Sequence, residues 1–249
     1  MSRVKKMNHW LLLSILFSPP AHATAVGDPV PDPVVGRITL DGSFDSMVVT
    51  ERDDKCSGDA CDARWEVQTF GLSMGLNLIR GVGLYGKAGR ISESIQELQY
   101  EGLGFGYGGG IRVALPLHSS FWIAGDANAL IGSSKSTRAE QTPDPKHGDF
   151  AIYSGTLLLV AGSPARGGHL WIGPQTAWSW THTVWPLGDE GITIEVPLKP
   201  KRTLSGVLGA TLISEPVGVP WRVSPRFRTT AEARAGQEMA LHVSVGMAL

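Results

Sequence analysis

"GLGFGYGGGIRVALPL", residues Gly102 to Leu117, is the stretch whose reading decides the fold. Taken in twos, one register holds Leu103, Phe105, Tyr107, Gly109, Ile111, Val113, Leu115 and Leu117. The other holds Gly102, Gly104, Gly106, Gly108, Gly110, Arg112, Ala114 and Pro116. Strict alternation predicts a strand with two unlike faces. Glycine inside a strand is entropically costly and packs nothing, so a face reduced to glycine needs a physical reason. A closed barrel supplies one: the large apolar register faces outward, and the bare register faces a narrow lumen where side chains from other strands need room.

The rest of the chain extends the pattern. Its 31 glycines and 16 prolines punctuate 249 residues at intervals of a strand plus a turn, and no convincing amphipathic helix or repeat interrupts them. That composition predicts an all-β protein. Ten alternating segments are expected, at about 37–50, 64–78, 81–92, 100–116, 120–133, 149–162, 168–185, 203–214, 221–233 and 238–249. The connections at Ile79-Arg80, Leu117-Ser119, Ser163-Gly167 and Glu215-Pro220 are short, while those at 51–63, 93–99, 134–148 and 186–202 are longer and polar. Short turns at one end and long loops at the other describe a closed antiparallel up-and-down transmembrane β-barrel, with an even strand count placing both termini on the periplasmic side. An eight-stranded version, with residues 24–62 outside the barrel, is the alternative. Pro174 and Pro225 fall inside expected strands and predict bulges, as does a slip in alternation between Thr69 and Phe70.

The beginning of the chain reads as an export signal. Arg3, Lys5 and Lys6 precede an apolar run from Trp10 to Phe17, and Ala21-His22-Ala23 fits a cleavage site. The run is far short of the roughly 20 residues of a spanning helix. The expected organisation is a signal peptide over 1–23, a Pro-rich N-terminal segment over 24–36 and the barrel over 37–249. A net charge of −1 speaks against a nucleic-acid partner. Cys56 and Cys61, the chain's two cysteines, are expected to close a small disulfide loop in an exported protein. A metal site built from them with Asp53, Asp54, Asp59 and Asp62 lacks a nearby histidine, so no metal and no cofactor are expected.

Two sets of side chains test the barrel reading. Trp122, Trp171 and Trp221 follow short turns, and Trp65, Tyr100, Phe150, Tyr153 and Trp185 lie beside long loops. They are expected to form two aromatic girdles at the two headgroup levels. On the inner side, "WRVSPRFRTTAEAR" presents Arg222, Arg226, Arg228 and Glu232 in one register. With Asp41, Asp45, Asp126 and Arg112 they predict a lumen of Arg–carboxylate pairs bridged by water, since unpaired buried charges are costly. The arginines are also expected to fill the space above the glycines of the fourth strand. The alternative is an exposed basic edge on the ninth segment.

In these features the sequence resembles small bacterial outer-membrane β-barrel proteins of the opacity-like and porin-like surface class. The likeness rests on "GLSMGLNLIRGVGLYGKAGRI" (71–91), on the glycine-alternating fourth strand and on the amphipathic end "MALHVSVGMAL". It departs from the class by ending in Leu249 rather than an aromatic, and shows no plug domain. The resemblance implies a surface or pore role in the outer membrane. Its partners would be membrane lipid, lipopolysaccharide and, during insertion, the barrel-assembly machinery, with oligomeric state left open.

Chemistry is sparse. His242 and Ser244 lie two apart on one face, resembling the His-x-Ser pair of barrel lipid A deacylases, but their register points into the lumen rather than toward lipid. Two small polar lumen residues is the simpler reading. His182 is expected at the outer rim, as an interfacial residue with no ligand ahead of a contact to lipopolysaccharide phosphates. The Gly-x-Gly runs lie within strands and cannot form a phosphate-binding turn. A non-enzymatic outer-membrane barrel is therefore expected, ahead of a barrel hydrolase acting through His242 and Ser244, and ahead of a soluble periplasmic binding barrel.

Overall fold

The computed structural model describes residues 25, 27–31, 34–52, 62–95, 100–136, 147–163, 167–187, 192–197, 201–214, 225–236 and 239–249. The strands are β1 (Ile38–Arg52), β2 (Asp62–Ile79), β3 (Val82–Ile95), β4 (Tyr100–His118), β5 (Phe121–Ser136) and β6 (His147–Ser163). They continue as β7 (Gly168–Leu187), β8 (Ile192–Pro197), β9 (Lys201–Ile213), β10 (Arg226–Gly236) and β11 (Met239–Ala248). Each pairs antiparallel with its sequence neighbours except β8 and β9, which both pair with β7; β1 pairs with β11, and the β6–β7 pairing completes the ring. Closure removes the free edges that would otherwise recruit foreign strands.

Ten staves result from eleven segments. β8 pairs with β7 at His182–Leu187 and β9 pairs with it at His169–Ser179, so the two are successive parts of one stave. The stretch 186–202, expected as a loop, therefore carries a strand. The alternation Ile192, Ile194, Val196 against Thr193 and Glu195 is a strand signal that the flanking prolines obscured. The eight-stranded alternative fails because β1 pairs on both sides, with β2 and with β11.

The expected irregularities are corrected in three places. β2 keeps one register with both neighbours from Trp65 to Leu76, so there is no slip at Thr69/Phe70, and the only shift against β3 falls at Asn77/Ile79 beside the turn. Pro174 interrupts the β6–β7 ladder between the Thr156–Gln175 and Leu159–Ile172 pairs, which resume in the same register, so no residue is inserted. A missing N–H costs rungs locally. Pro225 precedes β10 and does not lie inside it.

Burial alternates residue by residue along β10 and β11, as a two-faced wall requires. On the outside, Leu72, Met74, Leu115, Leu117, Leu157, Leu159, Leu170, Leu204, Leu208 and Leu212 are each more than half exposed. The apolar side of the wall is the outer one, and the packed core lies inside the ring. Ala114, Ala124, Leu158, Val160, Trp171 and Val207 form an apolar cluster toward the short-turn end of the lumen.

A further element completes that cluster. Val30, in the Pro-rich segment, is buried against it, and Asp28, Pro29 and Pro31 are buried as well. The chain turns at the rim, where the Gly36 N–H donates to the Asn77 carbonyl at 2.8 Å and the Asn77 N–H donates to the Arg37 carbonyl at 3.2 Å. The Pro-rich N-terminal segment thus folds back from the start of β1 into the lumen. No period marks such a segment, because it packs in neither helix nor strand.

Candidate functional site

Besides the apolar cluster contributed by β4, β5, β6, β7 and β9, the lumen holds buried charges. Three carboxylate centres, Asp41, Asp45 and Asp126, organise the cations. Arg228 donates from Nε to Asp41 Oδ1 at 2.7 Å and pairs through Nη2 with Asp41 Oδ2, a bidentate grip. Ser73 Oγ donates to the same carboxylate at 3.4 Å. Asp126 accepts from Arg112 Nε at 3.2 Å, from the Tyr85 hydroxyl at 3.0 and 3.1 Å, and from Asn128 Nδ2. The chain of donors continues as Ser154 Oγ donates to Asn128 Oδ1 at 2.9 Å, and the Arg112 guanidinium stacks 4.0 Å from the centre of the Tyr85 ring. Asp45 faces His242 Nδ1 at 3.0 Å and Arg234 Nη2 at 3.4 Å, while Arg234 Nε lies 3.5 Å from Glu232 Oε1.

The N-terminal segment joins this network. The Asp28 carboxylate meets His169 Nε2 at 2.8 Å and Arg228 Nη1 at 3.5 Å, and accepts from the Val30 N–H at 3.2 Å in an Asx-type turn. The Gly27 N–H donates to Glu232 Oε2 at 3.1 Å. Two residues of the segment are therefore fixed to opposite features of the lumen, an imidazole on β7 and a carboxylate on β10. A cavity of about 20 Å³ remains between Pro31, Asn77, Tyr85, Arg112 and Arg228, roughly the room one water molecule takes.

Of the residues predicted for the lumen, Asp41, Asp45, Arg112, Asp126, Arg228 and Glu232 come together there, with direct contacts where water bridges were expected. Arg226 is half-buried in the same register, and Arg222 lies outside the described residues. The basic-edge alternative fails for Arg228 and Arg234, which are buried. Sequence reasoning missed Asp28, Tyr85, Asn128, His169 and Arg234. Arg234 was findable, since it shares the parity of Glu232.

The glycines of β4 do make room, but for other side chains than predicted. A Cβ at Gly110 would lie 2.7 Å from both the Tyr85 hydroxyl and Asn128 Cβ, and one at Gly106 would lie 3.0 Å from Ile91 Cδ1. The space is used by immediate neighbours on β3 and β5, not by the arginines of β10.

The girdle expectation needs a larger correction. Trp171 is 1% exposed within the apolar cluster, and Trp122 packs against that cluster with its indole N–H buried. Both share the lumen parity of their strands, with His169 and Gln175 on β7 and with Ala124 and Asp126 on β5. Tyr153 is exposed on the outer wall, paired in register with exposed Trp178. Phe70, Phe105 and Tyr107 are also exposed, and so are Phe121 and Phe227 beside the short turns, so outward aromatics occur toward both ends. Trp221 and the side chains of Trp65, Tyr100, Phe150, His182 and Trp185 lie outside the described residues, as do Cys56 and Cys61.

His242 and Ser244 are both buried and both face the lumen. His242 presents Nδ1 to Asp45, and a Cβ placed on Gly27 would lie 3.9 Å from its Nε2. The imidazole edge that would serve a serine nucleophile is thus faced by the chain's own N-terminal segment. Among the described residues no group of His, Cys, Asp and Glu is placed to hold a metal ion.

No protein-family model and no curated sequence relative matches the chain. Solved structures do match it in shape. The translocator domain of the autotransporter NalP from Neisseria meningitidis superposes with a TM-score of 0.51 at 9% identity, covering 98% of this chain and 95% of that one. The β domain of the Bordetella autotransporter BrkA matches at 0.46 and 11% identity, over 86% of this chain and 99% of the other. Likeness at this identity establishes a common barrel fold and leaves function to be argued from the lumen and the outer wall.

Proposed function

We propose that the chain is an integral outer-membrane barrel without enzymatic activity, a structural and surface protein whose lumen is sealed rather than conducting. The observation that carries this reading is the inversion of polarity across one wall. Exposed leucines ring the outside, whereas Asp41, Asp126, Glu232, Arg228 and Arg234 are buried within. Monomeric soluble proteins rarely expose contiguous apolar surface on that scale, so an acyl-chain environment is the fitting solvent. The predicted export signal and the shared fold with an autotransporter translocator domain support the same membrane. In this reading the short turns and both termini are periplasmic, the long loops are extracellular, and lipopolysaccharide surrounds the long-loop end of the wall. The amphipathic strand β11 is what the barrel-assembly machinery would read.

Sealing follows from the contents of the lumen. An ion entering would have to displace directly paired charges and the segment 27–31, and neither yields without leaving buried groups unmatched. Hydrolysis at His242 and Ser244 is disfavoured because the pair faces neither lipid nor free lumen. The deciding experiment expresses the full chain, fractionates the envelope, and reconstitutes the detergent-extracted protein in planar bilayers. Heat-modifiable migration from the outer-membrane fraction with negligible steady conductance is expected. Recovery as a detergent-independent periplasmic protein, or a large steady conductance, overturns the reading.

A further inference from the structure

We propose that the lumen contains a binding site for small carboxylate anions, built from His169, Arg228 and Arg112, which the chain's own Asp28 occupies. The site is a property of the lumen, whatever compartment the barrel inhabits.

Three observations converge on it. His169 and Arg228 are both buried, on strands β7 and β10, and both aim a nitrogen at one carboxylate. An ionised carboxylate only accepts, so His169 carries its proton on Nε2. Its Nδ1 is buried with no hydrogen-bond partner among the described residues, which leaves the interaction with Asp28 as the ring's one polar anchor. Arg228 spends Nε and Nη2 on Asp41, and Nη1 is the corner turned to Asp28. Arg112 adds positive charge beside the site, its Nη2 3.4 Å from where a Cβ on Gly27 would stand. Trp171, with its ring centre 5.6 Å from that of His169, and Val30 close the apolar side.

The occupant is unlike the site. The wall residues sit in regular strands with registers fixed on both sides, whereas Asp28 belongs to a segment outside any strand. A rigid pocket of nitrogen donors filled by a short tethered acid is the arrangement of a receptor holding an internal ligand. A free carboxylate of the same size has the same two oxygens to offer, and its access is governed by how often the tether lets go.

The test uses the full-length barrel in detergent, with Asp28→Ala removing the carboxylate and formate supplied in its place. Folding is checked by heat-modifiable migration. Formate should raise the thermal transition of Asp28→Ala in a saturable way, by several degrees more than chloride at equal ionic strength. It should leave wild type unmoved, because that site is filled. Adding His169→Gln to Asp28→Ala should abolish the formate effect. If Asp28→Ala does not fold, Asp28→Ser, which preserves the local turn to Val30, is read in the same way. Equal shifts in wild type and variant, or no shift beyond chloride, overturn the proposal. Neither result bears on wild-type conductance or fractionation.

Discussion

Asp41 and Arg228 grip each other across an intervening strand. Asp41 on β1 and Arg228 on β10 are both in register with Gly246 of β11, and their ion pair passes directly above that glycine. A Cβ at Gly246 would lie 2.4 Å from the Leu40 carbonyl oxygen and closer still to Asp41 Oδ1. The same device recurs on the opposite wall. Tyr85 on β3 and Asn128 on β5 are both in register with Gly110 of β4, and the Tyr85 hydroxyl reaches over it to Asp126. Direct cross-strand neighbours normally pair with each other. Removing the middle side chain lets the flanking strands pair instead, which is the physical use of a glycine-lined inner face.

Gly246→Ala should therefore destabilise the barrel by about 1–3 kcal/mol, the usual cost of overpacking a filled site. Gly42 offers the control. It faces outward, and its Cβ would meet nothing closer than 3.9 Å, so Gly42→Ala should stay within about 0.5 kcal/mol of wild type. Urea titration of the folded protein in vesicles measures both. Equal effects at the two glycines would mean that the ion pair does not depend on the gap above β11.

Coupling across β11 is open to a double-mutant cycle. Arg228→Met strands the Asp41 carboxylate and takes one cation from Asp28, a loss expected to cost about 3–5 kcal/mol. Once Asp41→Asn is present, the same change should cost less, with a coupling energy of about 0.5–3 kcal/mol. Simple additivity of the two substitutions would show that the pair contributes nothing as a pair.

Alternation made the wall legible in the sequence, because a strand with lipid on one side and a lumen on the other writes its two faces in successive residues. Asp41, Asp126 and Arg228 followed from that parity alone. Trp122 and Trp171 were misplaced because their distance from a short turn was read as deciding their side. That distance sets depth along the barrel; parity sets inside or outside, and both tryptophans carry the inward parity. Asp28 and His169 could not be paired from sequence at all. They are 141 residues apart, and the segment bearing Asp28 has no period to reveal which surface it meets.

The placement of the tryptophans has an optical consequence. Trp178 is 41% exposed on the outer wall, and Trp171 is enclosed by the lumen cluster. In vesicles of brominated lipid, Trp178→Phe should remove part of the quenchable fluorescence. Trp171→Phe should remove part of the unquenched remainder. The opposite assignment would put Trp171 in the lipid belt rather than in the lumen.

Charge scanning of the outer wall tests the membrane reading most directly. Leu208 is 57% exposed near the middle of β9, at the depth where acyl chains are expected. Leu208→Arg should lower folding stability in vesicles by about 2–4 kcal/mol, the cost of a cation at the bilayer midplane. Gln68 is also exposed on the outer face but sits on β2 toward the long-loop end, far from the turn at Arg80. Gln68→Arg should cost no more than about 1 kcal/mol, as expected near the interface. Both substitutions add the same side chain to the same face of similar strands, so depth in the bilayer is the variable that separates them. In detergent-free buffer a soluble barrel would feel no such gradient, and equal effects at the two positions would remove the lipid belt from the description of this wall.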